Sequence, residues 1–130
     1  RSLGADRTLA AAPAGEEFDV AIDALGSDAT FAICMAVVRP GGVLVALGGW
    51  MTVALDLGRL VAREIDLKGS FNFTPGAFAE ALQWLQEGRV DTAAMLTCGR
   101  PMADGARAFD ELSNHRIVDI KVMLHPEPPT

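Results

Sequence analysis

Cysteine and histidine are scarce in this chain, with two of each. Cys34 and Cys98 are far apart, form no CxxC pair and have no neighbouring histidine, so neither a disulfide framework nor a zinc site is expected. Cys34 lies among apolar residues and reads as a core thiol. His115 and His125 stand ten residues apart. That is not the i, i+4 spacing with which one helix face offers two metal ligands. Cationic residues are outnumbered: 11 Lys and Arg against 17 Asp and Glu give a net charge of -6. No basic stripe is present, which excludes a nucleic-acid binder, and the acidic surface disfavours anionic membranes. A cytoplasmic protein is expected. The uncharged run 41–55 is too short and too glycine-rich to span a bilayer. The opening "RSLGADRTL" has no apolar signal-peptide core. Also absent is the phosphate-binding G-x-G-x-x-G fingerprint, together with the acidic residue that follows it at the end of the next strand.

What is present suits one domain with a real core: 130 residues, half of them hydrophobic and 22% charged. "RSLGAD" reads as the end of a helix capped by Gly4, so a longer parent chain is expected. "TLAAA" (8–12) is a candidate strand and "PAGEE" a loop. "FDVAIDALG" (18–26) is almost continuously apolar except for Asp19 and Asp23, which suits a strand buried on both faces of a parallel sheet. Ser27 is placed to cap a helix in which Phe31, Cys34, Met35 and Val38 make one apolar stripe. "RPGG" (39–42) stops it as a turn, and "VLVAL" (43–47) is the next strand.

Asp56 can cap a helix whose inward face is Leu57, Leu60, Val61 and Ile65, and "DLKGSF" (66–71) is a short strand after it. A complete helix then runs from cap Thr74 and Pro75 to Gly88, with Phe78, Ala81, Leu82 and Leu85 as its stripe. A last helix, "DGARAFDELSN" (104–114), turns Ala106, Phe109 and Leu112 inward, and "DIKVML" (119–124) is the last strand. The proline-rich end frays. Strands alternating with helices predict an α/β fold, a parallel sheet with helices on both faces.

Ligands of such sheets bind at the carboxyl ends of the strands. Two strands here exit into glycine, at "DALGS" and at "ALGG". A residue without Cβ lets a flat ring or a ribose approach the backbone, so Gly26, Gly48 and Gly49 are candidates for the floor of a nucleotide site. Equally, they serve only to make turns.

The pieces "LGAD", "FDVAIDALGS", "VVRPGGVLVALGG", "LVAREIDLKGSFNF", "ALQWLQEGRVD", "ARAFDEL" and "IKVML", in that order, resemble the C-terminal portion of the medium-chain dehydrogenase/reductase family. The likeness runs from about residue 3 to 124. "VAREIDLKGSF" is most similar to the zinc-type polyol and sugar-acid branch, such as sorbitol, L-idonate or threonine dehydrogenases. The resemblance implies a partial Rossmann fold whose first βαβ unit is missing. Residues 1–124 would form the C-terminal part of a dinucleotide-binding domain with its closing helix and strand, and 125–130 a disordered tail.

The resemblance also implies roles. Ala24, Leu25 and Gly26 would pack on the adenosine side of NAD or NADP. Leu47, Gly48 and Gly49 would meet the nicotinamide, as would Ser70, Phe71 and Asn72. Lys121 would contact the pyrophosphate. Bland readings stand beside these: Lys121 as a solvated lysine, Phe71 and Phe73 as core aromatics. Asn72 stands where polyol dehydrogenases often carry arginine, and an amide supplies neither the charge nor the fork. The family's catalytic zinc and its ligands belong to the full-length protein and match nothing in this chain. The implied chemistry is oxidation of a small alcohol, polyol or sugar acid by hydride transfer, with this segment alone inactive. The edge strand 66–71 would pair with its twin in a homodimer or tetramer. The alternatives are a Rossmann-like methyltransferase fragment and a non-catalytic oligomerisation domain. The dehydrogenase reading is separated from the methyltransferase by whether "DLKGSF" runs parallel to "VLVAL", as the dehydrogenase requires.

Overall fold

The computed structural model describes residues 4–49, 52–96, 98–114 and 121–126. They fall into two compact units, one of Arg7–Phe73 and one of Arg1–Asp6 with Thr74–Thr130. Every strand pairing in both is parallel, as in part of a Rossmann-type α/β fold.

The unit Arg7–Phe73 is built on β1 (Phe18–Asp23), α1 (Asp28–Val37), β2 (Val38–Ala46), α2 (Leu57–Ala62) and β3 (Asp66–Gly69). Its sheet has the order β1-β2-β3. Ala21 pairs with Leu44 and Leu44 with Leu67, and two rows further on Asp23, Ala46 and Gly69 stand abreast. Ser27 caps α1 in a capping box with Thr30. Phe31, Met35 and Val38 are buried from the predicted stripe and join Ala21, Leu44 and Ile65 in the core, with Cys34 half-buried beside them. Each such side chain contributes roughly 1.5–3 kcal/mol by leaving water. The C-terminal carbonyls of α1, which no helix can satisfy internally, are met from α2. Arg59 donates to the Met35 and Ala36 oxygens at 2.9 and 3.0 Å, and the residue after α2, Arg63, donates to the Val38 oxygen at 2.8 Å.

Several expectations change in detail. "TLAAA" forms no strand; a ladder needs a partner strand, and among the described residues β1 pairs only with β2. "RPGG" lies inside β2 as a bulge: Phe18 pairs with Val38 but Val20 already pairs with Val43. Gly41 takes φ +64° there and donates to the Arg63 carbonyl at 2.8 Å. Leu57 and Val61 face outward. Ile65 reaches the core because Glu64 turns left-handed, φ 52°, after the helix has ended. β3 stops at Gly69, short of the predicted Phe71. β1, patterned for burial on both faces, is covered within this unit on the face of Ala21 and Asp23, while Ile22 on the other face is 59% exposed.

The other unit holds α3 (Pro75–Gln86), α4 (Thr92–Met95), β4 (Cys98–Pro101), a 3-10 turn (Met102–Asp104), α5 (Gly105–Ser113) and β5 (Val122–His125). The cap Thr74 and the first-turn Pro75 of α3 are as predicted, and Gly88 follows its end at φ +68°. Its stripe, however, buries nothing: Phe78, Leu82 and Leu85 are all exposed. α4 and β4 were not legible in the sequence; β4 pairs with β5 in a separate two-stranded sheet. On α5 the buried residue is Ala108, not Ala106 or Phe109. Gly105 lets the helix settle on β5, where a Cβ would stand 3.3 Å from Leu124 Cδ1. Leu112 is half-buried on the same side, as predicted. His125, expected in the tail, closes β5. His115, residues 119 and 120 of the predicted last strand, and the tail 127–130 lie outside the described residues.

Candidate functional site

The site grows from the last row of the sheet. β1 ends at Asp23, whose carbonyl accepts from both the Leu47 and Gly48 amides at 2.9 Å. β2 ends at Ala46, whose carbonyl accepts from the Ser70 amide at 2.9 Å. The three strand exits are thereby tied by main-chain bonds one step beyond the ladder. Beyond them opens a cleft of about 460 Å³ lined by Ala46, Leu47, Gly48, Gly49, Gly69, Ser70, Phe71 and Asn72. That volume lies in the range of small-molecule and cofactor sites.

The predicted residues divide into three groups. Leu47, Gly48, Gly49, Ser70, Phe71 and Asn72 all line the cleft. Ala24, Leu25 and Gly26 do not line it; they pack behind it. A Cβ on Gly26 would stand 2.3 Å from the Gly48 carbonyl oxygen, and one on Gly48 only 2.2 Å from that of Ala24. The space these glycines leave is filled by each other's backbone. They are required for turn-on-turn packing, which is the turn-making reading of the two that the sequence left open, not room for a ring or ribose. Lys121 is exposed and precedes β5 in the other unit.

Ala46 and Gly69 are the lining residues that sequence reasoning missed. Gly69 differs from its neighbours: its φ is ordinary, and a Cβ there would meet nothing within 4 Å. No turn or backbone contact demands glycine at this position, so its effect is on the width of the cleft. The signal available in the sequence was a glycine closing an otherwise unremarkable strand, "DLKG". Asn72 sits at φ 52°, a left-handed conformation that asparagine tolerates better than most residues. Phe71 and Phe73 are 72% and 67% exposed, so neither is a core aromatic.

Among the described residues, the lining carries no charged side chain. It offers main-chain groups, the Ser70 hydroxyl, the Asn72 amide and the Phe71 ring. Such a wall suits a flat, uncharged, amide-bearing group. No cluster of His, Cys, Asp or Glu among the described residues could hold a metal ion. A zinc ion therefore does not fit the described part of this chain. No helix among the described residues is long and apolar enough to cross a membrane.

β3 runs parallel to β2, the arrangement that the dehydrogenase reading requires. The sequence profile described as zinc-binding dehydrogenase matches residues 1–87. The chain belongs to the zinc-binding dehydrogenase family. It is 33% identical over 88 residues to L-idonate 5-dehydrogenase (NAD(P)(+)) of Escherichia coli, covering 67% of this chain and 25% of that protein. An alcohol dehydrogenase of Cupriavidus necator is 30% identical over 116 residues, 86% of this chain and 32% of that one. Among solved structures, the L-idonate 5-dehydrogenase of Escherichia coli superposes with a TM-score of 0.75 at 30% identity, covering 85% of this chain and 32% of that one. A thermostable alcohol dehydrogenase from Pyrobaculum aerophilum gives 0.74 at 31% identity, covering 85% and 33%. The chain thus spans about a third of the length of these relatives.

Proposed function

We propose that residues 1–124 form the C-terminal part of a dinucleotide-binding domain, in an NAD- or NADP-dependent dehydrogenase that oxidises a small alcohol, polyol or sugar acid. The observation that carries this reading is the neutral cleft at the exits of β2 and β3, which gathers Leu47–Gly49 and Ser70–Asn72 on one wall. The L-idonate relative carries NAD(P)(+) in its name, which supports the cofactor class. When bound, the nicotinamide dinucleotide supplies the hydride acceptor.

This chain's residues bind and orient. Main-chain groups of Leu47–Gly49 meet the carboxamide and fix which ring face looks toward the substrate. Ser70, Phe71 and Asn72 meet the nicotinamide from the same wall. Ala24–Gly26 hold the adenosine side. No acid or base for the reacting alcohol is assigned within this segment, so the segment alone is inactive and binds the dinucleotide weakly. β3 is an edge strand, exposed along Asp66–Gly69 with Lys68 its sole cation, and pairs with its twin in a homodimer or tetramer of a cytoplasmic enzyme.

Titrating the intact protein with NADH and NADPH, followed by nicotinamide fluorescence, tests the reading. Saturable binding by the wild type, weakened about tenfold (roughly 1.4 kcal/mol) by Gly69→Val, is expected. Absence of binding to either dinucleotide overturns the proposal. Micromolar binding to the isolated 130-residue chain would overturn its last part, that the segment alone binds weakly.

A further inference from the structure

Asp23 is the one buried charged residue among those described, 2% exposed at the end of an apolar strand. Nothing in the proposed binding wall uses it directly, since it does not line the cleft. Its carboxylate is nevertheless committed. Oδ1 accepts from the Leu25 amide at 3.0 Å and from the Gly26 amide at 2.9 Å, while Oδ2 has no partner among the described residues. Burial alone would push the carboxyl up. The amides of Gly26 and Leu25, with the Thr30 side chain, more than offset this and hold it below its ordinary range. Its main-chain oxygen meanwhile accepts from Leu47 and Gly48. One residue therefore holds the turn after β1 through its side chain and the turn after β2 through its backbone. The two turns are coupled: the Asp23 carbonyl ties them together, and Gly26 and Gly48 stand backbone to backbone without room for a methyl group, so neither can shift against the other without a clash.

We propose that Asp23 is a positioning residue for the cleft: its carboxylate locks the Ala24–Gly26 turn, and through that turn fixes the Leu47–Gly49 wall. The proposal rests on the reading of that wall as the nicotinamide side of a dinucleotide site. A charged acceptor makes shorter, stronger bonds to two amides than a neutral one. That explains why a carboxylate is kept at a position where burial of charge is costly. Without it the Leu25 and Gly26 amides lose their acceptor, the turn relaxes, and the wall packed upon it loses its fixed position. Cofactor affinity then falls although every lining residue is intact.

The experiment compares Asp23→Ala, Asp23→Thr, Asp23→Asn and the core control Met35→Ala in the intact protein. Two quantities are read: amide hydrogen exchange at residues 47–49 relative to Val45, and KM for the dinucleotide against kcat. Asp23→Ala is expected to speed exchange at Leu47 and Gly48 about tenfold relative to Val45 and to raise the cofactor KM about tenfold, with a smaller change in kcat. Asp23→Asn keeps an acceptor for both amides and stays within about threefold of wild type on both readouts. Met35→Ala, which opens a cavity in the core, is expected to speed exchange at Val45 and Leu47 together and to leave KM unchanged. Asp23→Thr keeps a weaker acceptor and falls between; it replaces the alanine variant should that one not fold. Unchanged relative exchange at Leu47 and Gly48 in the alanine and threonine variants overturns the proposal, as does a KM increase in Met35→Ala equal to theirs. A wild type that binds no dinucleotide defeats the functional reading instead, and the exchange readout still decides whether Asp23 locks the wall.

Discussion

The exits of β1 and β2 differ from the exit of β3, although all three carry glycine at or just beyond the strand end. At the first two, glycine is demanded by the protein itself. Gly26 and Gly49 take positive φ, and Gly26 and Gly48 touch the opposite turn so closely that a Cβ would lie within 2.3 Å of backbone oxygen. At the third, Gly69 has an ordinary φ and empty space before it. The same amino acid closes one gap and keeps another open. Only the second kind of glycine can answer directly to a ligand.

The largest effect that would sharpen this contrast is at the closed end. Gly48→Ala forces a Cβ onto the Ala24 carbonyl and should cost about 3 kcal/mol or more of stability, measured by urea denaturation. Gly26→Ala adds a disfavoured φ to a similar clash and should cost at least as much. At the open end, Gly69→Val should change stability by no more than about 0.5 kcal/mol while weakening dinucleotide binding about tenfold. Should Gly69→Val unfold the protein, or Gly48→Ala leave it intact, the distinction fails.

A smaller effect is expected at Asn72. Asn72→Ala should cost about 1 kcal/mol because alanine tolerates φ 52° less well, whereas Asn72→Gly should be close to neutral for folding. Thermal unfolding of the pair separates backbone strain from loss of the amide. The smallest effect is a dependence on pH. The Asp23 carboxyl is held below its ordinary value, so its anionic form stabilises the fold above the usual aspartate range near pH 4. That contribution is lost as pH falls through the lowered value. The stability difference between wild type and Asp23→Asn should therefore narrow as denaturation is repeated at successively lower pH.

Much of this was legible in the sequence, for local reasons. Ser27, Asp56 and Thr74 mark their helix starts because a side-chain oxygen beside a free amide acts within a few residues. The stripe of Phe31, Met35 and Val38 predicted the buried face of α1 correctly. Legibility failed where the outcome depended on a distant neighbour. α3 carries a complete stripe yet buries none of it. "TLAAA" has strand composition but no strand beside it. Ile65 points inward because Glu64 turns left-handed, not because helical periodicity extends to it. At the cleft, the lining of Leu47–Gly49 and Ser70–Asn72 was anticipated through the family likeness. Gly69 and the double commitment of Asp23 were not, since one depends on empty space and the other on amides beyond the end of the neighbouring strand.

The sequence by itself determined the alternation of strands and helices, their caps and the glycines at the strand exits, because these follow from propensities and short-range hydrogen bonds. Tertiary structure alone decided which glycine closes and which opens. The difference lies in what stands across from each missing Cβ, and that is fixed by parallel register between strands that are neighbours in the sheet but not in the chain.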